Sequence, residues 1–120
     1  MFINLSNHPS SLWAEEQLKE AEKFGKIKDV PFPFVSPYAT ENDIEKIAET
    51  IVCDIIKEKP DAVMCQGEFS LSYAIISRLL QKEVTVLPAC SEREAEEQIL
   101  DNGGVKKICL YKFIKFRKYN

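Results

Sequence analysis

Apolar positions along the chain follow two spacings, and each spacing predicts an element. Phe2-Ile3-Asn4-Leu5 is a short apolar block that predicts a buried strand, broken by Ser6-Asn7-His8-Pro9-Ser10-Ser11. Ala14, Leu18, Ala21 and Phe24 then recur at helical spacing. Glu15 and Glu16 fall in the first turn, where the helix dipole favours acids, and Gly25 stops the helix. Lys26 to Val30 predicts a second strand, ended by Pro31-Phe32-Pro33. After a loop over Val35 to Ala39, Thr40 and Asp43 form a capping box ahead of a stripe of Ile44, Ile47, Ala48, Ile51 and Ile55. Pro60 marks the end of that helix. Ala62-Val63-Met64-Cys65 is wholly apolar, as a central strand covered on both faces requires. Gln66-Gly67-Glu68 follows, and a helix from about Phe69 buries Leu71, Ala74, Ile75 and Leu79.

Val84 to Leu87 predicts a fourth strand. Ser91 to Leu100 predicts a short helix, because Ser91 and Glu94 match the S-x-x-E capping signature. Asn102-Gly103-Gly104 is a turn, and Val105 to about Arg117 is the last strand, bent into a hairpin near Ile114. Strand and helix therefore alternate throughout, which predicts an α/β fold: a small Rossmann-like three-layer sandwich with a mostly parallel five-stranded sheet, its last strand free to run antiparallel. The 120 residues are expected to form a single domain, 1–120. Ligands of such sheets bind beyond the carboxyl ends of the strands. Those ends are the loops Ser6–Ser11, Pro31–Tyr38, Gln66–Ser70 and Ala89–Arg93.

Charge and cysteine content change this picture little. The net charge of −3 conceals an asymmetry, since no acid follows Asp101 while Lys106, Lys107, Lys112, Lys115, Arg117 and Lys118 do. Alternating with apolar residues, those cations fit an exposed edge strand guarded by lysines; a basic tail can also attract phosphate. No apolar run is long enough to span a bilayer, and no basic segment followed by an apolar stretch opens the chain. The expectation is a cytoplasmic protein without membrane contact. Cys53, Cys65, Cys90 and Cys109 show no C-x-x-C spacing and are read as reduced, buried thiols.

Three loop clusters can carry chemistry. In the first, Asn7, Ser10 and Ser11 at a helix start can hold an anion, and the imidazole of His8 can move a proton; equally, a serine there simply caps the helix. In the second, Gly67 permits close approach of a ligand, Gln66 can donate to it, and Glu68 can act as a base or hold a sugar hydroxyl. The alternative is a tight turn with Glu68 as a dipole-favoured acid. In the third, Ser91-Glu92-Arg93 offers a guanidinium to a phosphate, or Ser91 caps the helix while Arg93 pairs with Glu97. Trp13 can stack a base but fits the core better; Phe32, Phe34 and Tyr38 form a second aromatic group, and Tyr111, Phe113 and Phe116 fit the core side of the last strand. No Walker, G-x-G-x-x-G, G-x-S-x-G, H-x-x-x-H or D-x-D motif occurs, so no metal ligands and no cofactor are assigned.

Asn4-Leu5-Ser6-Asn7-His8-Pro9, Gln66-Gly67-Glu68 and Ser91-Glu92-Arg93, each at a strand end, resemble the small proteins encoded beside type III CRISPR systems, which are similar to CARF-type sensor domains and ring nucleases. The resemblance implies a homodimer that binds a cyclic oligoadenylate, cyclic tetra-adenylate foremost, and cleaves it without metal. It implies no long nucleic acid as partner. In that cleavage the ribose 2′-oxygen attacks the adjacent phosphate and leaves a 2′,3′-cyclic phosphate. Carried over, it makes His8, Glu68 and Arg93 catalytic. It makes Asn7, Ser10, Ser11, Trp13, Gln66, Gly67, Ser91 and Glu92 ligand-binding. Sequestration of the ligand without cleavage, or service as an interaction subunit through the basic last strand, are the alternatives.

Overall fold

The computed structural model describes residues 1–120. Strand β1 is Phe2–Leu5, and a single 3-10 turn at Ser10–Leu12 leads into helix α1, Glu15–Glu22. Strand β2 (Ile27–Val30), helix α2 (Glu41–Lys57), strand β3 (Ala62–Cys65) and helix α3 (Phe69–Gln81) follow. The chain then runs through the short β4 (Val86–Leu87) into two long strands, β5 (Ala89–Ile99) and β6 (Val105–Phe116). No helix is long and apolar enough to cross a membrane.

The fold is α/β, but the sheet differs from the expectation. Four strands, in the order β2-β1-β3-β4, form one wholly parallel sheet, while β5 and β6 make a separate antiparallel pair. One face of the parallel sheet, with Ile3, Leu5, Val63, Cys65 and Val86, packs on α2 and α3 through Ile44, Ala48, Val52, Ile55, Leu71, Ile75 and Leu79. The other face, with Phe2, Ala62, Met64 and Leu87, packs on Trp13, Ala21 and the root of the β5–β6 pair. Both faces of the central strands are therefore covered, which is why β3 reads as an unbroken apolar block and β1 as one interrupted only by the buried Asn4.

The capping box of α2 forms as its sequence predicts: Asp43 N donates to Thr40 Oγ1 at 3.1 Å and Thr40 N to Asp43 Oδ2 at 3.0 Å. The first helix departs from expectation. Its N-cap is Ala14, without a side-chain hydrogen bond, so neither Ser10 nor Ser11 caps it. The four cysteines are free as expected, but only Cys65 is buried; Cys53 and Cys109 are exposed. Burial pushes the Cys65 thiol up to about 12 against a Ser72 hydrogen bond that lowers it, so this thiol is an apolar core group.

The largest correction concerns Ser91 to Leu100, which is strand and not helix. It pairs from Ala89↔Phe116 to Ile99↔Val105 across a turn in which Gly103 takes φ +83 and Gly104 N donates to Asn102 Oδ1. The register slips between Cys90 and Ser91, leaving Ile114 unopposed as a bulge. That extra residue turns Phe113 and Phe116 to the same side, with ring centroids 5.0 Å apart, so both face the body. The bend expected near Ile114 is this bulge; the hairpin itself reverses at the Asn102 turn. Beyond Phe113 the pair leaves the body as an arm. The radius of gyration is 17.1 Å, against about 14 Å for a compact chain of this length.

Candidate functional site

The strand order β2-β1-β3-β4 reverses direction between β1 and β3, where the chain after β1 turns one way and the chain after β3 the other. At such a point the two following loops diverge and leave a crevice at the carboxyl edge. A cleft of about 710 Å³ lies there, lined by Ser6, Asn7 and His8 after β1, by Gln66 after β3, by Ala14 and Gln17 of the first helical segment, and by Ser91, Tyr111 and Phe113 of the arm.

The loop after β1 is held by a buried polar network. Asn4 is fully buried although polar; its Nδ2 donates to Asp29 Oδ1 at 2.9 Å and to the His8 carbonyl at 3.0 Å. Ser6 Oγ donates to Asn4 Oδ1 at 2.6 Å and accepts from His8 N at 3.2 Å. Trp13 Nε1 donates to the same His8 carbonyl at 3.0 Å. The His8 backbone is thus fixed from three sides while its side chain stays exposed at the cleft. Asn7 Oδ1 accepts from Phe32 N at 3.1 Å, tying this loop to the one after β2. Burying this many polar groups is tolerable because each is paired, and the pairing makes the loop rigid.

The expected site residues divide. Asn7, His8, Gln66 and Ser91 line the cleft. Ser91 arrives there from a strand, so its place agrees with expectation while its secondary structure does not. Ser10 lies outside; its hydroxyl donates to Asp29 Oδ2 at 3.0 Å, and Ser11 is exposed beside it. Trp13 is core, edge-on to Phe2 at 6.1 Å, and is not available for stacking. Gly67 serves packing: a Cβ there would stand 2.4 Å from the Phe32 ring. Phe32 is buried under it, whereas Phe34 and Tyr38 are exposed and separate.

Glu68 is the N-cap of α3. Its carboxylate accepts from Ser70 N at 3.0 Å, Leu71 N at 2.8 Å and the Ser70 hydroxyl at 2.7 Å. The Ser70 hydroxyl first, and the Leu71 and Ser70 amides after it, hold this carboxyl below the usual carboxylate range. An acid so engaged is a poor proton acceptor, and it lies outside the cleft. Arg93 stands on the arm opposite Tyr111, two pairs beyond Ser91↔Phe113, with its guanidinium donating to Cys109 Sγ at 3.2 Å. Glu92 points to the other side of β5, opposite Lys112. On a strand Arg93 and Glu97 stand roughly 13 Å apart, so the expected helical pair is not made.

A family model matches residues 1–117, almost the whole chain. The chain belongs to the family described as "Uncharacterized protein MJ1673 family". The match spans the parallel sheet and the arm together, so the cleft between them lies wholly within what defines the family. No curated protein matches the chain, and no solved structure does.

Sequence reasoning missed Asp29, Gln17, Met64 and Tyr111 as parts of the site. Gln17 left a signal: it lies three residues after Ala14 and four before Ala21, a polar side chain inside the apolar stripe of its helix. The aromatic wall had none, because strand alternation alone does not say which face of an arm meets the body. No group of three or more His, Cys, Asp or Glu side chains is clustered as a metal site requires.

Proposed function

We propose that the cleft at the β1–β3 edge binds a cyclic oligoadenylate, and that bound ligand is cleaved without metal with His8 moving the proton. The observation that carries this reading is the convergence of Asn7 and His8 from the β1 loop, Gln66 from the β3 loop and Ser91 from strand β5 on one cleft at the strand-order reversal. That convergence, with helices on both faces of a parallel sheet, supports a small Rossmann-like domain. In the reaction the ribose 2′-oxygen loses its proton and attacks the adjacent phosphorus, and the bond from phosphorus to the 5′-oxygen breaks. The 5′-oxygen takes up a proton and a 2′,3′-cyclic phosphate remains. Such a step needs positioning and one proton carrier. The rigid β1 loop supplies the positioning, and His8 is the one imidazole in the chain. Arg93 is the nearest arm cation on the cleft side and serves the phosphate. A homodimer acting in the cytoplasm completes this reading, since a two-fold assembly presents each loop twice to a rotationally symmetric ring.

Binding without cleavage is the second reading. The engagement of Glu68 as a helix cap favours it, because that leaves the cleft without a carboxylate base. Incubation with cyclic tetra-adenylate in EDTA, followed by mass spectrometry, separates the two. Linear products ending in a 2′,3′-cyclic phosphate, formed at least tenfold more slowly by His8→Ala, are the expected result. Ligand retained and recovered intact establishes the second reading. Neither binding nor cleavage of any cyclic oligoadenylate at micromolar protein sinks both.

A further inference from the structure

The cleft carries a contradiction of chemistry that points to what fills it. Its lining includes no Lys, Arg, Asp or Glu; the polar groups are hydroxyls, amides and one imidazole. A phosphate has no fixed countercharge there. The rest of the wall is apolar and partly aromatic: Met64, Leu12, Phe113 and Tyr111, the last 72% exposed. Against this wall stands Gln17, only 8% exposed. The hydrogen bond its amide makes is from Nε2 to Met64 Sδ at 4.0 Å. A thioether is a weak acceptor, so this bond satisfies little of an amide that offers two donors and an acceptor. The amide oxygen takes no hydrogen bond from the fold and is not sealed from the cleft, so the amide keeps free hydrogen-bonding capacity on that side.

We propose that Gln17 reads the edge of a planar nitrogenous base seated against Phe113 and Tyr111, and that under the function proposed above this base is adenine. Whichever way the amide is turned, one end donates and the other accepts. That pair matches the adjacent amino donor and ring-nitrogen acceptor of adenine, a bidentate contact glutamine makes with this base. The aromatic wall supplies stacking, which is indifferent to base identity, so the discrimination rests on the amide. The phosphates then lie outside the neutral cleft, toward Arg93, two residue pairs further out on the arm than Ser91. This inference rests on the proposed ligand for the identity of the base, but not for the existence of the slot.

Calorimetric titration of the full chain with cyclic tetra-adenylate, and with the same ring built from purine ribosides lacking the 6-amino group, tests it. The wild type is expected to prefer the adenylate ring at least tenfold, and Gln17→Leu to erase that preference while keeping residual stacking affinity. A Gln17→Leu protein that retains the full preference overturns the role of Gln17 and leaves the ligand reading standing. If the wild type binds neither ring, the ligand reading falls, and saturation-transfer NMR with millimolar adenosine decides the slot. A signal present in the wild type and absent in Gln17→Leu keeps it, and equal or absent signals in both overturn it. Should Gln17→Leu not fold, Gln17→Met, which keeps the length without the amide, takes its place in each measurement.

Discussion

The body and the arm are both regular hydrogen-bonded structure and are stabilised very differently. In the body, each central strand is hydrogen-bonded on two sides and buried on two faces, and Phe2 is wholly enclosed by Trp13, Phe24 and Phe116. In the arm, eleven register positions pair β5 with β6, yet Ile99 is 84% exposed and Leu110, Val105 and Tyr111 are exposed as well. A ladder of hydrogen bonds exchanged against water contributes little net free energy, whereas apolar burial contributes most of it. A two-stranded ribbon beyond the body is marginal on its own. Regular structure and stability are therefore separate properties here, and the boundary between them runs at Phe113, the last well-buried side chain of the arm.

Five substitutions probe that difference. Phe2→Ala removes the centre of the aromatic cluster under the arm root; a loss of about 3–5 kcal/mol is expected in urea unfolding, and a loss under 1 kcal/mol would mean the arm root packs independently of the sheet. Gly67→Ala drives a methyl group into the Phe32 ring and should cost about 1–3 kcal/mol by the same measurement. Thr40→Ala removes half of the α2 capping box and should cost about 1 kcal/mol. The other half is pH-dependent. Bonding to the Thr40 amide and then to its hydroxyl holds the Asp43 carboxyl below its ordinary range. Its contribution is therefore complete above about pH 4 and is lost as pH falls through the lowered value. Asp43→Asn should flatten that part of the stability profile between pH 5 and the acid limb, as read from unfolding midpoints. Ile99→Ala, far out on the arm, should change stability by no more than about 0.5 kcal/mol. Amide hydrogen exchange provides the companion test, with arm amides exchanging well before those of β1 and β3.

The elements legible in the sequence are those whose evidence is local. Thr40 and Asp43 sit three apart and cap each other whatever surrounds them, and β1 and β3 are apolar on both faces because both are covered. The segment Ser91 to Leu100 shows the limit. Its Glu and Ala content and its S-x-x-E signature favour a helix, but it carries no apolar stripe with which a helix could dock. The partner strand β6 lies one tight turn away and takes the backbone instead. The site was legible in the same proportion. Asn7, His8 and Gln66 converge because parallel strands end at one edge. Glu68 and Arg93 do not join them, because a cap claimed one and the altered secondary structure carried off the other. Gln17 belongs to a face that only packing defines.

The bulge at Ile114 has a consequence for how chains of this kind can vary in length. Phe113 and Phe116 both reach the body only because one unopposed residue lies between their pairs. Removing Ile114 would restore strict alternation and turn one ring to solvent. On the far side of the bulge the ribbon is a plain ladder in which facing repeats every second residue. Insertions or deletions further out than Arg93↔Tyr111 leave the cleft register untouched when both strands change by the same number of residues. The arm can thus lengthen or shorten in whole steps while Ser91, Tyr111 and Phe113 keep their places, and a single-residue change anywhere between them and the body cannot.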